Sequence, residues 1–188
     1  PAYVQQHLDL LEACDYVVFQ LEIPLETVVY AAKEASRLGK KVILDPAPAV
    51  PGLPEELLQS LYLIKPNETE LSILTGRPHD PARLREDALS LQARGVKNVL
   101  VTLGGAGSYL LREDGTEARI PADSTVKVVD TTAAGDSYMG ALAVALSQGK
   151  DLEEAGRVAS PVSDIVGAPP GGRAPIPPLG ELEESAAP

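Results

Sequence analysis

A single cysteine, Cys14, stands in this chain of 188 residues, so no intrachain disulfide is possible and packing alone must hold the fold. Tryptophan is absent, and phenylalanine and methionine occur once each. The core is therefore expected to be leucine, valine, isoleucine and alanine, with Cys14 among them. Positive charge is also short: 16 Lys and Arg against 27 Asp and Glu leave a net charge of −11. That balance argues against nucleic acid or an anionic membrane as the main partner, but leaves room for a phosphate held by backbone dipoles. No apolar run reaches the roughly 18 residues of a membrane-spanning helix, and no signal-peptide pattern opens the chain. The expected compartment is the cytoplasm. His7 and His79 have no spacing to further metal ligands and read as surface residues. The chain opens at Pro1, which fits removal of an initiator Met or a truncated start.

What is present is an alternation of short apolar runs with amphipathic stretches, the pattern of βαβ units and a mostly parallel sheet. Strands are expected at residues 16–20, 42–45, 62–64 and 98–102. Helices are expected at 25–38, 55–60, from Asn67 to about Thr75, and at 81–94. Val28, Val29, Ala32, Ala35 and Leu38 share one face of the first of these, and Gly39 stops it. Residues 108–112 and 116–120 flank Glu113-Asp114-Gly115 and read as a β-hairpin. A strand at 125–129, a helix from Ser137 and another over 151–166 follow, then a tail rich in Pro and Gly. One domain over residues 1–188 is the economical reading.

The most informative segment is Asp130-Thr131-Thr132-Ala133-Ala134-Gly135-Asp136. A strand, a turn of small residues and a helix start bring unpaired N–H groups and a helix dipole to one spot, which makes an anion cradle. Asp136 sits at that spot. A cradle with an acid beside it suits transfer of a phosphoryl group to a hydroxyl, because the acid accepts the hydroxyl proton. Asp136 also has a plain reading as a helix N-cap. Three further loops end strands: Asp45-Pro46-Ala47-Pro48-Ala49, Lys65-Pro66-Asn67-Glu68-Thr69-Glu70, and Thr102-Leu103-Gly104-Gly105-Ala106-Gly107. In open α/β sheets such strand ends are where ligands bind. Asn67 and Glu70 are spaced as N-cap and N3, nearly a capping box. The glycine loop is neither a Walker loop nor a dinucleotide fingerprint.

Together these segments, with Gln20-Leu21-Glu22, resemble the ribokinase group of PfkB-type sugar kinases over essentially the whole chain. Asp130–Asp136 is similar to that family's C-terminal signature, and Asn67 with Glu70 to its Asn-x-x-Glu motif. The resemblance implies a ribokinase-like, Rossmann-type α/β fold, with a mostly parallel sheet, helices on both faces and a C-terminal hairpin, truncated at the N-terminus. It implies ATP-dependent phosphorylation of a sugar primary hydroxyl, with D-ribose the expected acceptor and a ketose, nucleoside or hydroxymethylpyrimidine as alternatives. Asp136 would be the general base. Backbone N–H groups around Ala133, Ala134, Gly135 and Asp136 would form the anion hole. Asn67 and Glu70 would act near the triphosphate and Mg2+. Thr102, Leu103, Gly104, Gly105, Ala106 and Gly107 would line the nucleotide pocket, with Ser160 against the adenine. Glu22 would touch the sugar. Asp130, Thr132, Val166, Pro169 and Gly171 would hold K+.

The chain departs from the family in two places. The segment that would supply a β lid and sugar-binding residues is expected before Pro1. This polypeptide alone is therefore expected to be weakly active, or a nucleotide-binding fragment without turnover, and the family's dimer through the lid is not expected here. Pro161 falls inside an expected helix, where it costs about 3 kcal/mol. Ser160 capping a new helix that starts at Pro161 would relieve that cost.

Overall fold

The structure, a computed structural model, describes residues 1–122 and 134–166, the side chains of 163–166 excepted. Two short helices, α1 (Ala2–Gln5) and α2 (Leu8–Glu12), precede β1 (Tyr16–Phe19). Then come α3 (Leu25–Arg37), β2 (Lys41–Leu44), α4 (Glu55–Leu58), β3 (Leu63–Ile64), α5 (Glu68–Thr75), α6 (Leu84–Ala93) and β4 (Asn98–Thr102). The chain continues through β5 (Ser108–Leu111), β6 (Glu117–Ile120), α7 (Ala134–Ser147) and α8 (Leu152–Val166). The strands form one sheet whose spatial order follows chain order, β1-β2-β3-β4-β5-β6. The first four are parallel, with Val17 opposite Val42, Ile43 opposite Leu63, and Ile64 opposite Val99. The chain is thus α/β, as its alternating pattern predicts.

By internal packing the chain divides into two compact units, Pro1–Thr102 with Leu110–Glu117, and Leu103–Tyr109 with Ala118–Pro188. The first unit has an aliphatic core. Ile43, Leu44, Leu57, Leu58, Leu61, Leu63, Ile64 and Leu100 are fully buried, each such burial contributing about 1.5–3 kcal/mol. The run Val42-Ile43-Leu44 is buried throughout because a parallel strand is covered on both faces. On α3 the buried stripe is Val28, Val29, Ala31, Ala32 and Ala35. Leu38 is its half-buried cap, and Gly39 follows at φ +75°. Cys14 is half-buried rather than in the core, its thiol donating to the Leu11 carbonyl at 3.3 Å. The helix expected over 81–94 begins instead as a 3-10 turn, Pro81–Arg83, and becomes α-helical at Leu84. Asp80 caps that turn by accepting from the Ala82 N–H, so Pro81 starts a tight turn where its missing N–H costs nothing.

In the second unit α7 packs on α8, and the buried aromatics are Tyr109 and Tyr138. A Cβ on Gly156 of α8 would collide with the Ile120 side chain, so glycine lets that helix lie close to the end of β6. The start of α8 is a capping box: Asp151 Oδ1 accepts from the N–H groups of Glu153 and Glu154, and the Asp151 N–H donates to Glu154 Oε2. The expected second helix start at Ser160 is not formed. α8 runs unbroken through Pro161, and the Ser160 hydroxyl donates to the Pro121 carbonyl at 3.1 Å. Burial of Val158, Ala159 and Val162 around the proline offsets the bond that its ring removes.

Candidate functional site

In the first unit the strand ends are laced together just past their last residues. The Asp45 N–H donates to Phe19 O at 2.9 Å, Leu21 N–H to Ala47 O at 2.8 Å, and Lys65 N–H to Leu44 O at 2.9 Å. Thr102 N–H donates to Pro66 O at 3.0 Å, and Asn67 and Thr102 face each other in an isolated parallel bridge. The loops that carry Glu22, Asp45, Lys65, Asn67 and Thr102 therefore stand in one row along the carboxyl ends of parallel strands. Glu22 is exposed in the loop between β1 and α3.

Asn67 is the N-cap of α5, and the near capping box of the sequence is complete. Asn67 Oδ1 accepts from the Glu70 N–H at 2.8 Å, and the Asn67 N–H donates to Glu70 Oε2 at 2.8 Å. Two orphan donors of the helix start are satisfied reciprocally, and Glu70 Oε1 is left outside the box. Burial pushes the Glu70 carboxyl above its ordinary value of 4.5. The Asn67 N–H bond opposes that shift, the charge of Asp45 adds to it, and Lys65 relieves it. The two charges acting on Glu70, Asp45 and Lys65, form a buried ion pair. Lys65 Nζ is 3.1 Å from Asp45 Oδ2, and the two side chains are 3% and 4% exposed.

In the second unit residues 103–107 form a closed turn. Leu103 N–H donates to Gly107 O at 2.8 Å and Gly107 N–H to Gly104 O at 2.9 Å, around a 3-10 turn at Gly104–Ala106. Gly104, Gly105 and Ala106 are exposed, whereas Gly107 is buried at φ +82°. A Cβ there would run into the Ile120 carbonyl oxygen and the Ala122 nitrogen, so only glycine fits. The next residue, Ser108, shares a hydrogen bond of 3.1 Å with the Tyr138 hydroxyl on α7, both side chains being buried. The turn is thereby tied to the helix that carries Asp136.

α7 begins at Ala134, so Asp136 lies inside its first turn, and the N-cap reading of Asp136 does not hold. Alanine is the best helix former and extends the helix toward its N-terminus through the small-residue run. Ala134, Gly135 and Asp136 are then the first three helical residues, whose N–H groups have no intrahelical acceptor. Gly135 and Asp136 are exposed. Ser160, expected against a nucleotide base, is 5% exposed and bonded to Pro121. Asp130, Thr132, Ala133, Pro169 and Gly171 lie outside the described residues, and Val166 is the last residue of α8.

Reading the sequence locally missed the Asp45–Lys65 pair and the Ser108–Tyr138 contact. Each joins residues far apart in the chain; the one available signal was a charged residue closing an apolar strand in both Asp45 and Lys65.

The description of the pfkB family of carbohydrate kinases matches residues 2–178. The ribokinase of Schizosaccharomyces pombe is 37% identical over 188 residues, covering 98% of this chain and 58% of that protein. The deoxyribokinase of Salmonella typhi is 38% identical over 156 residues, covering 82% of this chain and 50% of that protein. Among solved structures, Arabidopsis thaliana ribokinase complexed with ribose and ATP superposes with a TM-score of 0.88 at 33% identity, over 96% of this chain and 58% of that one. Thermotoga maritima ribokinase gives 0.81 at 38% identity, over 94% and 58%. The chain thus spans between half and three fifths of the length of these relatives.

Proposed function

This chain belongs to the pfkB family of carbohydrate kinases, and from that premise we propose that it carries the nucleotide-binding and catalytic part of an ATP-dependent sugar kinase, with D-ribose as the favoured acceptor. The observation that carries the reading is the start of α7, where three first-turn N–H groups and an exposed carboxylate come from consecutive residues, Ala134, Gly135 and Asp136. In this reading those N–H groups receive the charge that develops on the transferring phosphoryl. Asp136 accepts the proton of the sugar hydroxyl as its oxygen attacks phosphorus. Leu103–Gly107 lines the nucleotide pocket with backbone, and Ser160 stands near the base. Glu22 meets the sugar.

Magnesium is held through one or two carboxylates and substrate phosphates rather than by an all-protein cage. Glu70, with one carboxylate oxygen outside the capping box, suits that role, and Asn67 stands beside it. When bound, the ion supplies charge neutralisation on the phosphate oxygens. Potassium enters the same proposal through Asp130, Thr132, Val166, Pro169 and Gly171, and cytoplasmic residence through the family's small-molecule chemistry.

The test is ribose-dependent ATP consumption by the chain and by Asp136→Asn, with nucleotide binding measured on both. Slow ribose-dependent turnover that disappears in the variant, with affinity kept, supports the reading. Turnover unchanged in Asp136→Asn overturns it. A second reading is a nucleotide-binding chain without turnover. ATP binding with no consumption on ribose, deoxyribose or a ketose would select it.

A further inference from the structure

The buried Lys65–Asp45 pair has no part in the chemistry above, yet both of its charges act on Glu70, in the turn assigned to the neighbourhood of the polyphosphate. Asp45 follows the last residue of β2 and Lys65 follows the last residue of β3, and both backbones are fixed by sheet-like bonds to the neighbouring strand. Their charged ends meet at 3.1 Å with almost no exposure to water. Asn67 comes two residues after Lys65, across Pro66, whose carbonyl is itself held by Thr102. The two charges act on Glu70 with opposite signs. A buried charge close to a ligand is poorly screened, so a change of one unit there is felt by an incoming polyanion.

We propose that Lys65 and Asp45 are the charge-setting pair of the nucleotide turn. Lys65 cancels Asp45, Glu70 remains the net negative group among the three, and tight binding of the polyphosphate becomes dependent on its divalent cation. This rests on the nucleotide reading of the Asn67–Glu70 turn. Asp45 and Lys65 are positioning residues in this scheme and touch no reacting atom.

The test is calorimetric titration of the chain with ATP, with and without magnesium. The wild-type chain is expected to prefer the magnesium form. Asp45→Asn removes one buried negative charge beside Lys65, so metal-free ATP should bind on the order of fivefold tighter and the preference for magnesium should narrow. Lys65→Met should shift metal-free binding on the order of fivefold the other way. The double variant, neutral at both positions, should return to the wild-type preference. A pair that only holds the fold would weaken binding in both single variants, following their loss of thermal stability, and that result overturns the proposal. Should Lys65→Met fail to fold, Asp45→Asn and the double variant still decide the sign. If the wild-type chain binds no nucleotide, the functional reading falls and takes this inference with it. If it binds and Asp45→Asn weakens metal-free ATP, this inference alone falls.

Discussion

Two helix starts, α5 and α7, use the same physical resource in opposite ways. Each begins with N–H groups that its own helix cannot satisfy, and each has an acid in its first turn, Glu70 in one and Asp136 in the other. At α5 the acid is turned back onto the backbone. Glu70 Oε2 and Asn67 Oδ1 close a box that consumes two of the donors, and the carboxyl is half-buried. At α7 the approach is made of alanine and glycine, and the acid faces solvent from an exposed position. The first arrangement secures a helix and keeps one carboxylate oxygen over; the second sets an exposed acid among residues with little or no side chain. In the proposed function, one motif class thus serves stability at α5 and chemistry at α7, and the neighbouring residue types make the difference.

The comparison breaks most sharply at Asp136. Asp136→Asn should leave the melting temperature within a degree or two while lowering any sugar-dependent turnover by about 10²–10⁴-fold; a large drop in melting temperature would assign Asp136 to stability and erase the contrast. Gly107→Ala should come next, destabilising by about 2 kcal/mol or more because it adds a backbone collision to a positive φ. Denaturant unfolding checks this, and a neutral result would mean that the 103–107 turn yields easily. Asn67→Ala should cost about 1 kcal/mol. Combined with Glu70→Ala it should cost less than the sum, since both remove the same box. Full additivity in a double-mutant cycle would show that the box is not a unit.

The smallest effect concerns pH. Glu70 is held above its ordinary value of 4.5, so the fold favours its protonated form. Below about pH 4.5 the carboxyl is protonated in folded and unfolded chains alike, and the shift costs nothing. As pH rises from there through the raised folded value, the native chain gives up a proton it prefers to keep, and stability falls. Glu70→Gln keeps the box without the titration, so its advantage over wild type should grow across that window. Melting curves at intervals from about pH 4 to 8 test this, and a difference that stays flat with pH would remove burial as the cause.

Much of this was legible along the chain. Val42-Ile43-Leu44 and Val99-Leu100-Val101 announce buried strands because nothing in them suits water or a turn, and Asn67 with Glu70 announces its box by spacing alone. What escaped reading is of two kinds. The boundary at α7 was misplaced because Ala134 and Gly135 have no side-chain signal to say where a turn becomes a helix. The unbroken course of α8 through Pro161 depends on burial of Val158, Ala159 and Val162, a tertiary effect that overrides the local penalty. The Asp45–Lys65 pair belongs to the second kind as well, since neither residue signals the other until β2 and β3 lie side by side.

The order of the sheet has a consequence for how the chain reaches this state. Among the described residues each strand from β2 to β6 neighbours the strand made just before it. Assembly can then advance by accretion, each βα unit docking on the last as a ribosome releases it. Loop closures stay short, and the search for partners stays local even though most of the pairing is parallel. On this route the Asn67–Glu70 turn is complete before the segment that carries Asp136 has been synthesised.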